Sequence, residues 1–441
     1  MEFTSEEYRN TLARLYELQK FGIKLGLNST SNLLARLGDP HHRVPCLHIA
    51  GTNGKGSVAA MCQAALLRAG VRVGMYLSPH LVRFTERFLI NGREIGPQRV
   101  VDLADKVWAV VDPAEPPTFF EVVTAMAFLL FAEEEVELAI LETGLGGRLD
   151  ATNVCRPRVS VITNIGLEHQ QYLGNRLSDI AFEKAGIIKP GVPLVHGVMQ
   201  PVARKVVEQR ARKLKAPMLR RGQELRFRRG EGESFSLSGS RWQLKDLRTN
   251  LVGRHQAENA CLALGALELL AAQGLPVEPE HFRQGLMEVQ WPGRLQRLPR
   301  SQGKPALWLD GAHNLPAIRA LLDNLDLVRA SGEPLVMVIG IMGDKELPPM
   351  VQALAGAADR VVFSRPVYER AADPEDLAAL APEGCRFEVV ENLGAAITRA
   401  EELAGSRGAV LITGSLFTVG EALELLEKCG SPASNPARGL P

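Results

Sequence analysis

No stretch of the sequence approaches the roughly 20 consecutive apolar residues needed to cross a bilayer. The opening MEFTSEEYRN also lacks the basic head and apolar core of a signal peptide. A membrane span or an export route is therefore not expected. Cysteine is scarce and scattered: Cys46, Cys62, Cys155, Cys261, Cys385 and Cys429 contain no CxxC pair and no ligand-like spacing. This argues against a disulfide framework and for a reducing, cytoplasmic setting. Excess charge of one sign is missing too, because 51 Lys and Arg against 50 Asp and Glu leave a formal charge of +1. A nucleic-acid footprint would have to be a local patch, and the dense basic stretch is Arg220 to Arg229. No short repeat is visible, and the low-complexity text is confined to the tail Ser431 to Pro441.

What is present is an ordinary globular composition, 46% apolar and 23% charged, over 441 residues. At roughly 150 residues per domain that length allows two or three domains, and two are expected. Short apolar strands at Val44 to Ala50, Val71 to Tyr76, Leu138 to Leu141, Val159 to Asn164 and Pro193 to Gly197 alternate with helical patterns such as Lys55 to Ala69 and Phe119 to Glu134. This rhythm predicts an α/β fold with a mainly parallel sheet. From Glu224 to Leu247 the text turns charged and short-stranded, predicting a small antiparallel excursion, and the helix Arg254 to Ala272 follows. After the Trp291-Pro292-Gly293 punctuation, strands near Ala306 to Leu309, Leu335 to Ile339, Val361 to Ser364, Phe387 to Val390 and Val410 to Thr413 predict a smaller Rossmann-like domain. The expected division is 1–292 and 293–441.

The strongest chemical signal is Gly51-Thr52-Asn53-Gly54-Lys55-Gly56-Ser57, which follows the apolar strand LHIA and opens a helix. Glycines there let backbone N–H groups approach phosphate oxygens, and a helix N-terminus favours an anion. Lys55 would neutralise the β and γ phosphates of a nucleotide, and the Ser57 hydroxyl would reach a magnesium ion. A glycine turn kept for packing alone is the bland alternative. The spacing departs from GxxxxGK[ST], since Ile49 stands at the first glycine position and Gly56 separates lysine from serine. That departure argues against GTPases, kinases and motor ATPases. Magnesium takes hard oxygen ligands, and Glu142 and Ser78 each end a strand, where a side chain in an open α/β sheet faces the ligand crevice.

Taken together, LLARLGDPH, GTNGKGS, YLSPHL, TFFE, LETGLGGRLDATN, EHQQYLG, EKAGIIK, PGR, DGAHN and TGSL make the sequence resemble folylpolyglutamate and dihydrofolate synthases of the Mur-ligase superfamily along nearly its whole length. The resemblance implies a Mur-ligase-like phosphate-loop ATPase domain followed by a Rossmann-like glutamate ligase domain. It implies that Ser78 and Glu142 bind one magnesium ion and His169 a second. Lys184 of EKAG would be carboxylated by carbon dioxide, which requires a neutral, buried amine. ATP contacts are implied at Asn259, Arg294 and Asp310, with His313 and Asn314 nearby, although Leu315 stands where the family commonly has Pro. Thr118, Phe119, Phe120 and Glu121, with Leu149, Asp150 and Ala151, match segments that contact the pterin side of the substrate. The aromatic pair would equally serve as core.

The implied activity is ATP-dependent addition of L-glutamate to the γ-carboxylate of a folate through an acyl phosphate, with conversion of dihydropteroate to dihydrofolate left open. The expected partners are ATP, folate and L-glutamate, for a monomer that engages neither nucleic acid nor membrane. Two other readings stay open: a Mur-type ligase acting on a UDP-muramoyl acceptor, and a non-ligase phosphate-loop NTPase. All of this requires Lys55 and Glu142 to lie close together.

Overall fold

The segment CLHIA forms β1 (Cys46–Ala50), every residue of which is buried. A strand covered on both faces has no use for polar alternation, and this one has parallel neighbours on each side. These are β5 (Leu138–Glu142) and β6 (Val159–Ile162), with β2 (Val73–Tyr76) beyond β5 and β7 (Leu194–His196) and β8 (Met218–Arg220) beyond β6. The computed structural model describes residues 5–22, 24 and 26–428. Cys429 and the tail Ser431 to Pro441 fall outside them.

The sheet is not wholly parallel. Beyond β2, the strands β3 (Phe88–Ile90) and β4 (Arg93–Glu94) run antiparallel, giving the order β4-β3-β2-β5-β1-β6-β7-β8. The β3–β4 turn is Asn91-Gly92, with φ of 50° and 76°. This is the left-handed pair that a two-residue hairpin demands. The text FLINGREI carries that signal, which the strand reading above does not use.

Helices outside those expected include Glu6–Glu17, Asn28–Arg36, Pro97–Trp108, Pro201–Lys213 and Pro279–Glu288. Pro97–Trp108 buries Val100, Val101, Leu103, Ala104 and Val107 along one face, the spacing of an amphipathic helix. It packs in one core cluster with Phe119–Glu133, which is buried without interruption from Glu121 to Phe131.

The antiparallel excursion is present as β9 (Arg226–Arg229), β10 (Phe235–Ser238) and β11 (Gln243–Leu247) in the order β11-β10-β9. Its β10–β11 turn is pinned by the buried carboxylate of Glu268, which accepts from the Ser240 and Arg241 N–H groups and the Ser240 hydroxyl at 2.9 Å and from the Trp242 N–H at 2.5 Å. The basic stretch at its foot is partly neutralised: Arg220 pairs with Glu224 at 2.5 Å and lies 3.9 Å from Glu208, and Arg221 pairs with Glu258.

The chain divides into two compact units, one of residues 1–80, 84–250 and 257–289, the other of residues 81–83, 251–256 and 290–441. The second unit is a six-stranded sheet ordered β12-β13-β17-β14-β15-β16, from β12 (Gln296–Leu298), β13 (Ala306–Asp310), β14 (Leu335–Ile339), β15 (Arg360–Arg365), β16 (Phe387–Asn392) and β17 (Ala409–Thr413). All of its pairings are parallel except the edge pair β12–β13. β14 and β17 are fully buried and separate two apolar clusters, one on each face. Leu81 and Val82 belong to this unit because they pack against the second of these clusters.

In the first unit, the helix that opens at Lys55 is held by Pro279–Glu288 at backbone contact: a Cβ on Gly285 would lie 2.6 Å from the Ala65 nitrogen. Backbone cannot yield there as a side-chain tip can. Gly285→Ala is expected to destabilise the protein by about 1–3 kcal/mol, read as a lower urea midpoint at unchanged m-value. An unchanged midpoint would show that the two helices separate freely.

Candidate active site

The phosphate-loop residues leave β1 and enter the helix Lys55–Arg68 through Gly54, whose φ is 84°. A Cβ there would meet Asn259 Oδ1 at 2.5 Å, so glycine is required twice over, for its dihedral and for its neighbour. No side chain caps this helix N-terminus, and its first-turn N–H groups are left for an anion. The loop's shape comes from the connection after β6. The Thr52 N–H donates to the Asn164 carbonyl at 3.0 Å, and the Asn53 N–H to Asn164 Oδ1 at 2.9 Å. In return, Thr163 Oγ1 and Asn164 Nδ2 donate to the Asn53 carbonyl at 2.7 and 3.0 Å, and the Thr52 hydroxyl lies 2.9 Å from the Gly166 N–H. Thr163, Asn164 and Gly166 were not foreseen. No local spacing announces them, because they stand 110 or more residues from the loop groups they meet and only strand register brings them there.

Lys55 Nζ lies 3.0 Å from the Gly51 carbonyl, 3.3 Å from that of Thr52 and 3.8 Å from Glu142 Oε1. The requirement that Lys55 and Glu142 lie close is met. Glu142 ends β5, in register with Ile49 of β1, and Ser78 follows β2, whose Tyr76 pairs with Leu141. Both therefore stand at the carboxyl edge of the sheet, beside the loop. Ser78 Oγ is buried and has no hydrogen-bond partner among the described residues. A buried hydroxyl left in that state is costly unless something fills the place, and a hard cation would. Ser57, buried in the first turn of the helix, adds a third oxygen. These donors fit magnesium.

Behind the loop sits a second pair of charges. Lys184, 1% exposed, ends the helix Leu177–Lys184 and donates to Glu168 Oε1 at 2.6 Å. Burial lowers the Lys184 ammonium from its usual value, against the opposing pull of Glu168. Burial alone would raise Glu168, but Lys184 and then Lys55 outweigh it and hold the carboxyl at about 2. Glu168 is the one charged residue of this cluster that the sequence reading passed over, although it stands in EHQQYLG. His169, next to it, is exposed with φ 47° at the head of the short helix Gln170–Leu173.

The segments matched to the pterin side surround the turn after β5. Thr118 and Glu121 form a reciprocal cap of the helix Phe119–Glu133, at 3.3 and 2.7 Å. The Asp150 carboxylate accepts from the Gly144 and Leu145 N–H groups at 2.9 and 2.8 Å and from the Thr152 N–H and hydroxyl at 3.0 and 2.5 Å, and so shapes the glycine-rich turn. Phe119 stacks on Tyr16 at 5.6 Å, and Phe120 lies 6.1 Å from Tyr76. Phe119, Phe120 and Leu149 are half-buried, and Ala151 is buried. Arg148 ties this turn to the Lys184 helix through Glu183, at 2.9 Å between side chains.

Arg294, Asp310, His313 and Asn314 form a cluster of their own in the second unit. Asp310 ends β13 and accepts from the Leu295 and Ala312 N–H groups at 2.8 and 2.9 Å, and burial raises its carboxyl. Arg294 reaches the Gly311 carbonyl at 3.4 Å, and His313 Nδ1 lies 2.8 Å from the same oxygen. Asn314 caps the helix Leu315–Leu322. With Leu315 in place of the common Pro, Pro316 occupies the first turn, where its missing N–H costs nothing.

A mainly parallel α/β sheet with an uncapped phosphate loop at its carboxyl edge, followed by a Rossmann-like unit, defines the Mur-ligase class. The family models agree: the Mur ligase middle domain matches residues 49–267, and the Mur ligase, glutamate ligase domain matches residues 293–416. Among curated proteins, the dihydrofolate synthase/folylpolyglutamate synthase of Bacillus subtilis is 36% identical over 431 residues, covering 95% of this chain and 99% of its own. Escherichia coli FolC in complex with DHPP and ADP superposes with a TM-score of 0.87 at 30% identity, over 96% of this chain and 98% of that one. A bifunctional folylpolyglutamate synthase/dihydrofolate synthase with Mn, AMPPNP and L-glutamate bound gives 0.84 at 32% identity, over 95% and 98%. The chain belongs to the dihydrofolate synthase/folylpolyglutamate synthase family.

The Glu168–Lys184 pair generates a stability prediction. In protein depleted of carbon dioxide, where Lys184 is the unmodified ammonium, removing one partner strands a buried charge, so Glu168→Gln is expected to cost about 3–5 kcal/mol, while Glu168→Gln with Lys184→Met regains most of it. The pH dependence has a definite sign. Glu168 is held at about 2 rather than its usual 4.5, so its contribution is complete above 4.5 and drains as pH falls towards 2. Urea midpoints of the three proteins across that range provide the check. Equal loss in the single and double variants would mean the pair is not coupled.

Proposed function

We propose that this protein is an ATP-dependent ligase that adds L-glutamate to the γ-carboxylate of a folate, and that it also joins dihydropteroate to glutamate to give dihydrofolate. The observation that carries this reading is the uncapped helix N-terminus with Lys55 Nζ 3.8 Å from Glu142. Family membership supports the substrates, as do the relatives that bind ADP, DHPP and L-glutamate. The bifunctional name of the Bacillus subtilis relative favours the second activity. The five described cysteines are all free thiols, in keeping with a cytosolic setting.

In this reading Gly51 to Ser57 cradle the β and γ phosphates, and Lys55 leaves the loop carbonyls to follow the transferring phosphoryl group. A carboxylate oxygen of the acceptor attacks the γ-phosphorus, the bond to the bridging oxygen breaks, and ADP departs. The amine of glutamate then attacks the acyl carbon, loses a proton, and inorganic phosphate leaves. Asn259, Arg294 and Asp310 are assigned to the nucleotide, with His313 and Asn314 behind them. Asp310 keeps a lone pair on each oxygen for a ribose hydroxyl. Thr118, Phe119, Phe120, Glu121, Leu149, Asp150 and Ala151 are assigned to the pterin side.

Ser57, Ser78 and Glu142 would hold one magnesium ion and His169 a second, supplying charge neutralisation on the phosphoryl oxygens. Lys184 is assigned as the carboxylated lysine. Its burial favours the neutral amine that reacts with carbon dioxide, forming a carbamate and releasing a proton. The product would place an anion beside Glu168, so carboxylation and cation binding should strengthen one another.

A panel of dihydropteroate, dihydrofolate, tetrahydrofolate and UDP-muramoyl acceptors, with ATP, magnesium and labelled glutamate, tests the assignment. Labelled product is expected with the pteroate and folates, and turnover with the muramoyl acceptor alone would overturn the reading. Lys55→Ala should lower kcat by at least about 10²–10³-fold while melting like the parent, and undiminished turnover would remove the loop from the mechanism. A preparation depleted of carbon dioxide should regain activity on addition of bicarbonate. No response would mean that Lys184 stays an amine.

A further inference from the structure

We infer that Asp39, His41 and His42 form a binding site for a divalent transition-metal ion, zinc foremost, at the end of β1 remote from the phosphate loop. One ligand atom from each of the three residues lies within 4.8 Å of the others. Tetrahedral ligands about 2.1 Å from a shared zinc ion stand about 3.4 Å apart, so side-chain adjustments of at most about 1.4 Å close the set.

The local fold brings them together. Asp39 is left-handed at φ 53° and precedes the single 3₁₀ turn Pro40–His42. The His42 N–H donates to the Asp39 carbonyl at 3.1 Å, which sets residues 39 and 42 side by side. The rings of His41 and His42 are 4.0 Å apart. His41 is 8% exposed and stands edge-on to Phe128 at 5.9 Å, so its ring is already fixed. Its Nδ1 is buried without a hydrogen-bond partner among the described residues. That is the independent sign that a ligand is expected: a buried imidazole nitrogen is ordinarily satisfied. His42 is exposed and leaves the outer side open to water as a further ligand.

Two imidazoles and one carboxylate select a borderline metal such as zinc, nickel or copper over magnesium or calcium, which prefer all-oxygen shells. The cluster precedes β1 and the phosphate loop follows it, across a five-residue strand of roughly 16 Å. Such an ion would take no part in phosphoryl transfer. It would tie the entry of the central strand to the helix Phe119–Glu133, which carries Phe128.

The test uses the untagged full chain, stripped with a chelator and titrated with zinc chloride in excess magnesium and ADP, so that the nucleotide site is occupied. One zinc per chain and a raised melting temperature are expected. Asp39→Asn keeps a residue that tolerates the left-handed turn, and His42→Ala removes an exposed ring. Each should weaken zinc binding at least about 10-fold, the lower end of what loss of even an outer-sphere partner costs, with glutamate-dependent ADP release unchanged. His41→Gln should abolish binding, but it also disturbs packing on Phe128, so the two exposed-side variants decide. Absence of stoichiometric zinc, or parental affinity in both variants, overturns the site.

Discussion

The constraint on which the rest depends is the position of β1. A strand paired on both sides in parallel must end at the same edge as its neighbours, so whatever follows β1, β5 and β6 is gathered at one place. After β1 comes the phosphate loop, at the end of β5 stands Glu142, and after β6 come Thr163, Asn164 and Glu168. Lys55, near the start of its helix, meets Glu142, which is remote in sequence, because strand register has already put them within 3.8 Å. The loop then borrows its conformation from the β6 connection through the bonds of Thr52 and Asn53. An anion site made of backbone N–H groups needs that borrowing, since the groups must keep their direction before the anion arrives.

Around this edge the chain accumulates charge that a core would normally exclude. Lys55, Glu142, Glu168 and Lys184 are all largely buried, and each is tolerable because an opposite charge stands near. The arrangement is thereby sensitive to any change in charge count. Under the proposed function an incoming polyphosphate would compete with Glu142 for Lys55, and a cation at Ser78 and Glu142 would offset that competition. Asp150 behaves differently: with four donors on its two oxygens it serves geometry, holding the turn from Gly144 to Leu145 in place.

What could be read from the sequence follows from how local each signal is. GTNGKGS was legible because strand, glycines, lysine and helix are contiguous, and the excursion because its change of texture is contiguous too. Glu142 and Ser78 could be picked out because the end of an apolar run marks the carboxyl edge of a sheet. The partnership of Glu168 with Lys184 could not, since 16 residues separate them and only packing decides that both are buried. The unanticipated helices were missed for another reason: their one-sided apolar spacing is present but carries no chemistry, and a reading led by strands passes it by. The hairpin Asn91-Gly92 was written locally and went unused.

The second unit repeats the logic of the first at smaller scale. Asp310 ends a strand, as Glu142 does, but its two oxygens reach backwards to Leu295 and forwards to Ala312 and so close the turn that carries Arg294. Burial raises this carboxyl, and Arg294 acts against that rise. An acid fixed by two backbone donors presents its remaining lone pairs in known directions, whereas a free surface carboxylate would not. In both units, then, a carboxylate stands at a strand end, and the sheet fixes the carboxylate. The difference lies in the partner: a lysine amine in one, free to change ligands, and backbone amides in the other, which are not.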